Sequence, residues 1–125
     1  MFRYIETIVY LCRMVIRRFE IVFLEDARDF LARIDDKSRY KILFNIDKAR
    51  ITNDPVLFKK LDTDIWEFRT RQNKQHYRLL AFWDKRDNKN TLVVCTHGFI
   101  KESTKVPRSE IQRAKQLMKS YFDNL

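Results

Sequence analysis

Glycine is the residue that this sequence most clearly lacks: Gly98 is the single glycine in 125 residues, where average usage gives about nine. The scarcity excludes the glycine-rich loops that hold phosphates in P-loop and dinucleotide-binding proteins, and also the nucleophile elbow of serine hydrolases. Gly98 interrupts an apolar, strand-like run, with His97 before it and Lys101 three positions on. Glycine in a strand marks a bulge or a close approach by a backbone or ligand. The sequence leaves open an anion-binding site or a bulge that closes a sheet edge.

Cysteines and long apolar runs are also scarce. The two cysteines, Cys12 and Cys95, lie far apart, and no secretory signal supports a disulfide between them. We therefore predict that both are reduced and that the protein is cytoplasmic. The apolar run at residues 8–12 is far too short to span a bilayer, and it has no cleavage site of the signal-peptide type.

Acidic residues are outnumbered by basic ones, 17 to 26, which gives a formal net charge of +9. A small domain this basic indicates an anionic partner: nucleic acid first, an acidic protein second and an anionic membrane surface third. The plain alternative is a soluble basic protein without such a partner. The length predicts one domain. We assign it to residues 14–125, because Met14 opens a natural domain start, and we interpret residues 1–13 as an extension upstream of it.

The hydrophobic pattern predicts an α+β fold in the order β-α-α-β-β-β-α: an antiparallel sheet with an N-terminal helical hairpin and a C-terminal helix. The third and fourth strands are apolar on both faces and are predicted to be central. In the second helix a wide apolar stripe is predicted to pack on the sheet; it contains Tyr40, Leu43 and Phe44 and the adjacent Ile42, Ile46 and Ala49. The predicted strands are residues 18–24, 65–71, 76–83 and 91–101, and the helices are 27–34, 37–50 and from Pro107 onwards.

Metal-binding patterns are weak. The two histidines lie on different predicted strands, and no Cys/His spacing matches a zinc site. Asp62, Asp64 and Glu67 lie close in sequence, but the lysine that a carboxylate-based Mg²⁺ nuclease needs on the same strand is missing. We predict a solvated loop, a salt-bridged Glu67, no metal and no other cofactor.

Basic side chains and two imidazoles remain on the last three predicted strands: Arg69, His76, Arg78, His97 and Lys101. If the second and third strands form a hairpin, Arg69 and Arg78 lie near each other. Such groups suit metal-free RNA cleavage, in which a 2′-OH attacks the adjacent phosphorus and needs a base, an acid and positive charge on the phosphorane. A histidine in a strand is more often structural than catalytic. Arg78 shares its face with Leu80 and Phe82, so its charge requires a partner or a ligand.

Four segments in this order carry a resemblance to a known family: Trp66-Glu67-Phe68-Arg69, Tyr77-Arg78-Leu79-Leu80, His97-Gly98-Phe99-Ile100-Lys101, and Pro107-Arg108-Ser109-Glu110-Ile111 with Ala114. Together they resemble the RelE/ParE superfamily of toxins, in particular its HigB-like, phage-derived branch. The resemblance extends over residues 14–121 and implies a RelE-like fold. It also implies a toxin of a type II toxin–antitoxin pair, neutralised by a helix-turn-helix, HigA-like antitoxin through which alone operator DNA is bound. Active members enter the ribosome and cut mRNA without a metal, which inhibits translation.

The resemblance also implies roles for individual residues. Arg78 matches the arginine that contacts the scissile phosphate, Arg69 the arginine that ends the second strand, and His97 and Lys101 the end of the fourth strand. For RNA binding we predict Lys60, Arg71, His76 and Lys105. Two positions depart from the branch: Glu102 stands where a second lysine is usual, and Val106 replaces a threonine before the helix proline.

The sequence therefore predicts a ribosome-dependent mRNA endonuclease, with three alternatives open. A ParE-like protein would poison DNA gyrase, although Arg69 and Arg78 argue against it. A nuclease-dead relative would bind only its antitoxin, and a simple RNA-binding module would not act as a toxin. The sequence does not decide whether His97, His76 or neither transfers the proton.

Overall fold

The computed structural model describes residues 16–86 and 91–125. In these described residues, five strands and three helices follow one another as β1 (Glu20–Phe23), α1 (Glu25–Arg33), α2 (Asp36–Ile51), β2 (Phe58–Lys60), β3 (Trp66–Gln72), β4 (Gln75–Asp84), β5 (Leu92–Lys101) and α3 (Arg108–Asp123). The α+β class is confirmed. The extension proposed for residues 1–13, the start proposed at Met14, and Cys12 all lie outside the described residues.

The strands form one sheet in the order β1-β5-β4-β3-β2, so β4 and β5 are interior, as their apolar character predicts. Two features of the sheet differ from the prediction. The short strand β2 is additional and pairs antiparallel with β3; three residues are too few to show a period. In addition, β1 pairs parallel with β5, so the sheet is mixed. Two helices and three strands separate β1 from β5 in the sequence, and local patterns therefore do not show this pairing.

Helices cover both faces of the sheet. On one face α1 packs against β5 and α2 against β3, and on the other α3 packs against β4 and β5. Successive side chains of β4 serve opposite faces: Leu79 belongs to the core under α1 and α2, and Leu80 to the core under α3. Within the described ranges, no helix combines the length and the apolar content needed to cross a membrane.

The orientation of α2 corrects the sequence prediction. Ile42, Ile46 and Ala49 face the sheet and are buried, but Tyr40 and Phe44 are 69% and 63% exposed. Both sides of this helix are apolar, so periodicity does not choose between them. The buried side includes the small residues Ser38 and Ala49, which allow the helix to approach the sheet closely. The other side is left as an exposed apolar stripe.

The position of Gly98 corrects the interpretation of a bulge at a sheet edge. It is paired with Leu79 inside the sheet, and its φ is not positive. A Cβ at this position would lie closer than 3.0 Å to ring atoms of Phe30 in α1. The bulge in β5 is at Thr96, where the register with β4 shifts by one residue. Glycine is therefore required here because Phe30 packs onto the strand, and β5 lies in the interior of the sheet and not at its edge.

The β3–β4 hairpin turns without glycine. Its two central residues, Asn73 and Lys74, both adopt positive φ, 53° and 65°, as in a type I′ turn. This two-residue turn pairs Gln72 with Gln75 and sets the register of the two strands. The register in turn decides which charged side chains of β3 and β4 are neighbours.

A candidate active site on the α3 face of the sheet

The side chains of β3, β4 and β5 that point to the α3 face form three cross-strand rows. Leu80, in the first row, lies beneath α3, whereas the third row lies beside the β3–β4 hairpin, beyond the helix. We define the cationic face as the five basic residues of the second and third rows. The rows are Glu67–Leu80–His97, Arg69–Arg78–Phe99 and Arg71–His76–Lys101.

Arg69 and Arg78 are directly opposite each other and share one carboxylate, as expected for a salt-bridged Glu67. Arg78 Nε lies 3.5 Å from Glu67 Oε2, and Arg69 Nε lies 3.7 Å from Glu67 Oε1. Arg78 and Glu67 are buried, whereas the side chain of Arg69 is 33% exposed. Burial lowers the pKa of Arg78, Glu67 raises it and Arg69 lowers it again. Two positive charges therefore compete for a single negative charge.

Hydrogen bonding in this cluster is incomplete. Arg78 Nη1 donates to the carbonyl of Tyr77 at 3.2 Å. Neither arginine Nε, nor Glu67 Oε2, has a hydrogen-bond partner among the described residues, although all three atoms are buried. Buried polar atoms without partners are rare in proteins, and a catalytic role or a bound ion is among the explanations for them. The two Nε–H groups are therefore unused donors of the cluster, and Glu67 Oε2 is an unused acceptor.

The third row is open to solvent. His76 and Arg71 are exposed and Lys101 is half-buried. The pKa of His76 is lowered by partial desolvation and by the charges of Arg78, Arg71, Lys101 and Arg69. Desolvation and the charge of Arg78 likewise lower the pKa of Lys101. Both groups therefore lose a proton more readily than they do in water, which suits proton transfer.

His97 is in the first row and is 1% exposed. Its Nδ1 lies 3.0 Å from the Thr96 hydroxyl, and its Nε2 lies 3.6 Å from Glu110 Oε1 of α3. Burial and the charge of Arg113 lower the pKa of His97 to about 4, against the opposing effect of Asp26. The imidazole is therefore neutral and held beneath the helix. This geometry gives no support to the predicted catalytic role, because α3 separates His97 from the open part of the face.

Both of the lysines predicted to bind RNA, Lys60 and Lys105, lie outside the three cross-strand rows. Lys60 pairs with Trp66, whose side chain belongs to the opposite face, whereas Lys59 pairs with Glu67. Lys59, whose charge contributes to lowering the pKa of Lys101, was not predicted, because the three residues of β2 are too few for their alternation to be seen in the sequence. Lys105 is exposed in the connection between β5 and α3.

Among the residues that the structure describes, no group of three or more His, Cys, Asp or Glu side chains is arranged to hold a metal ion. Asp62 forms an ion pair with Lys115 at 2.8 Å, and Glu67 forms ion pairs with Arg69 and Arg78.

Cys95 is a free thiol, as predicted. It is fully buried, and burial raises its pKa.

Residues 29–119 match the family model described as "Phage derived protein Gp49-like (DUF891)". The match covers most of the chain, from α1 into α3, and includes every residue of the cationic face. A search of the curated proteins found no match.

Proposed function

The chain belongs to the Gp49-like family of phage-derived proteins, and on that premise we propose that it is the toxin of a toxin–antitoxin pair. Its activity in this proposal is metal-independent cleavage of mRNA on the ribosome. The observation that carries the proposal is the charge balance of the cationic face, where Arg69 and Arg78 share Glu67. The sequence resemblance and the net charge of +9 support the same substrate.

A phosphate would supply the negative charge that the arginine pair lacks. Two guanidiniums and one carboxylate leave an unbalanced positive charge, and Lys101 adds another. Guanidinium matches the geometry of phosphate oxygens and forms strong charge-assisted hydrogen bonds with them. Arg69 reaches solvent and is assigned the direct contact with the scissile phosphate. Arg78 lies directly opposite on β4, is more deeply buried, and stabilises negative charge on the phosphorane.

The third row provides the proton transfers. His76, kept neutral by the surrounding cations, accepts the proton of the 2′-OH as its oxygen forms a bond to phosphorus. The bond from phosphorus to the 5′-oxygen then breaks, and Lys101 donates a proton to that oxygen. The products are a 2′,3′-cyclic phosphate and a 5′-hydroxyl. The imidazole in this proposal is that of His76, because His97 is covered by α3.

The exposed stripe of α2 favours a second function, binding of a protein partner. Tyr40, Phe44 and Ile51 are spaced along one side of the helix and are each more than a third exposed. Apolar patches of this kind mark protein interfaces. We assign this stripe to the antitoxin that the family resemblance implies, and it lies on the sheet face opposite the cationic face.

A reconstituted translation reaction tests the nuclease. We expect cuts within codons in the ribosomal A site, with 2′,3′-cyclic phosphate ends, and no cutting of naked RNA. Arg69→Ala and Arg78→Ala each lower the cleavage rate by about 10²-fold or more, the scale of one lost transition-state donor. Arg69 is part-exposed, so this variant remains informative if Arg78→Ala fails to fold. Full activity in both variants, or gyrase-trapped DNA breaks with intact mRNA, contradicts the proposal.

A matched control is Lys48→Ala. Lys48 is exposed on α2 and has no part in the cationic face, so its loss removes one positive charge without touching the site. We expect the rate of this variant to equal that of the parent protein. If it falls as far as that of Arg69→Ala, the effect reflects general charge attraction to the ribosome, and the assigned role of Arg69 is wrong.

A further inference from the structure

A cavity of about 660 Å³ opens at the end of the sheet remote from the β3–β4 hairpin. Its walls are Trp66 of β3 and Trp83 of β4, with Met118 and Phe122 of α3. No residue of the cationic face lines it, so it is a separate site. Its volume is in the range of pockets that bind small molecules and cofactors.

The two tryptophans form a rigid corner. Their ring centroids are 6.0 Å apart and their planes meet at 83°. Trp66 is stacked on Phe58 at 5.0 Å, and Trp83 is held edge-on by Phe19 at 5.3 Å. The core therefore fixes both indoles, so the aromatic surface that they present to the cavity is preformed and suits contact with another flat ring.

The mouth of the cavity is positively charged. Lys60 and Lys85 are exposed and form no ion pair within the described part of the chain. Arg86 also lines the cavity. It forms an ion pair with Asp84 at 2.7 Å, but the side chain of Arg86 remains 55% exposed. Among the described residues that line the cavity, Asp64 carries the one carboxylate. A flat aromatic ring bound next to free ammonium groups is the recognition mode of nucleotides in single-stranded RNA.

The edge strand β2 connects this cavity with the cationic face. Lys59 pairs with Glu67 and Lys60 with Trp66, so these consecutive lysines carry positive charge to both faces of the sheet at its edge. Along β4, Arg78 and Trp83 are five residues apart, which corresponds to about 17 Å in a strand. An RNA strand held at the cationic face therefore reaches the cavity by passing around β2.

We propose that the cavity binds a nucleobase of the RNA strand, with the base against Trp66 and Trp83 and its phosphate at Lys60 and Lys85. The nucleotide bound in the cavity is a few positions from the scissile phosphate. The inference rests on the proposed function for the identity of the strand, but nucleotide binding at the cavity does not itself require cleavage.

Tryptophan fluorescence tests the proposal directly, because the chain has two tryptophans and both line the cavity. Titration of the intact protein with adenosine 5′-monophosphate, which has no internucleotide bond to cut, is expected to quench the emission to saturation. The double variant Lys60→Glu with Lys85→Glu weakens this binding by about 10-fold or more, since two charge-assisted contacts are lost. Lys37→Glu with Lys48→Glu, an equal charge change on α2, leaves it unchanged.

Arg69→Ala separates this proposal from the nuclease proposal. We expect this variant to lose cleavage and to keep the nucleotide-dependent quenching. Three results overturn the cavity proposal: no quenching by the nucleotide when an acidic peptide does quench, equal quenching by inorganic phosphate alone, or unchanged nucleotide affinity in the Lys60/Lys85 variant. The first result would assign the cavity to a protein partner instead.

Discussion

Arg69 lies directly opposite Arg78 across the β3–β4 pair, with Glu67 within 3.7 Å of both side chains. Like charges placed directly opposite each other in a sheet are destabilising. The pair is retained because one carboxylate bridges it and because the second row is partly open to solvent. Glu67 therefore has two effects: it permits the arginines to lie together, and it competes with any phosphate that they bind.

Replacement of Glu67 by Gln is expected to lower the free energy of unfolding by about 3 kcal/mol, the lower end of the range for removal of one partner from a buried ion pair. The reason is that the buried guanidinium of Arg78 is left without a counter-charge. Urea denaturation at pH 7 measures the change. Asp123→Asn, which removes the exposed ion pair with Lys119, is the control and costs less than about 0.5 kcal/mol. Equal losses in the two variants would show that Glu67 does not stabilise the pair.

Stability should depend on pH through His97. Its pKa in the folded protein is about 4, against an ordinary value of 6.5, so the unfolded chain binds this proton more tightly. The contribution of His97 is fully present above pH 6.5 and is lost as the pH falls towards 4, by up to about 3 kcal/mol. Urea denaturation of the parent protein at pH 7 and pH 4.5 measures it.

The control for this pH dependence is a pair of histidine variants. His97→Gln is expected to flatten the profile between pH 7 and pH 4.5, because the titrating group that faces Glu110, Arg113 and Asp26 is gone. His76→Gln keeps most of the dependence, since His76 is exposed. A profile that flattens only in His76→Gln would contradict the assignment.

Gly98→Ala is expected to destabilise the protein by about 2–3 kcal/mol, because the new methyl group overlaps the ring of Phe30 and forces strain into a packed core. Thermal or urea unfolding measures the effect. A double-mutant cycle with Phe30→Leu checks the cause: the cost of Gly98→Ala should shrink by at least about 1 kcal/mol when the ring is removed. Strict additivity of the two substitutions would mean that Phe30 is not the obstacle.

The two sides of α2 should respond differently to truncation. Ile42→Ala removes a fully buried side chain and is expected to cost about 2–5 kcal/mol. Phe44→Ala, at a position 63% exposed, should change the free energy of unfolding by less than about 0.5 kcal/mol. Denaturant unfolding of both variants makes the comparison. A large loss in Phe44→Ala alone would reverse the orientation of the helix.

Local patterns explain which parts of the fold and the candidate site were predictable. Alternation of side chains in a strand has a period of two, so the sequence alone places Glu67, Arg69 and Arg71 on one face of β3. The proximity of Arg69 and Arg78 was predicted on the condition that the second and third predicted strands form a hairpin, and the structure contains that hairpin. The need of Arg78 for a partner followed from its apolar neighbours on the same face.

Other features depended on contacts between distant parts of the chain. The sequence offered both His76 and His97, and only the position of α3 shows which imidazole is covered. Glycine is required at position 98 because of the ring of Phe30, which is 68 positions earlier in the chain. The cavity between Trp66, Trp83 and Phe122 joins two strands with the last helix, and no local pattern marks it.

The sequence by itself determined the α+β class, the interior strands, the basic character and the family resemblance, because propensity, period and charge act between near neighbours. Tertiary structure alone decided the parallel pairing of β1, the side of α2 that meets the sheet, the burial of His97 and the pairing of two arginines with one carboxylate. Each of these depends on which apolar surfaces exclude water together, and that choice is made by the whole chain at once.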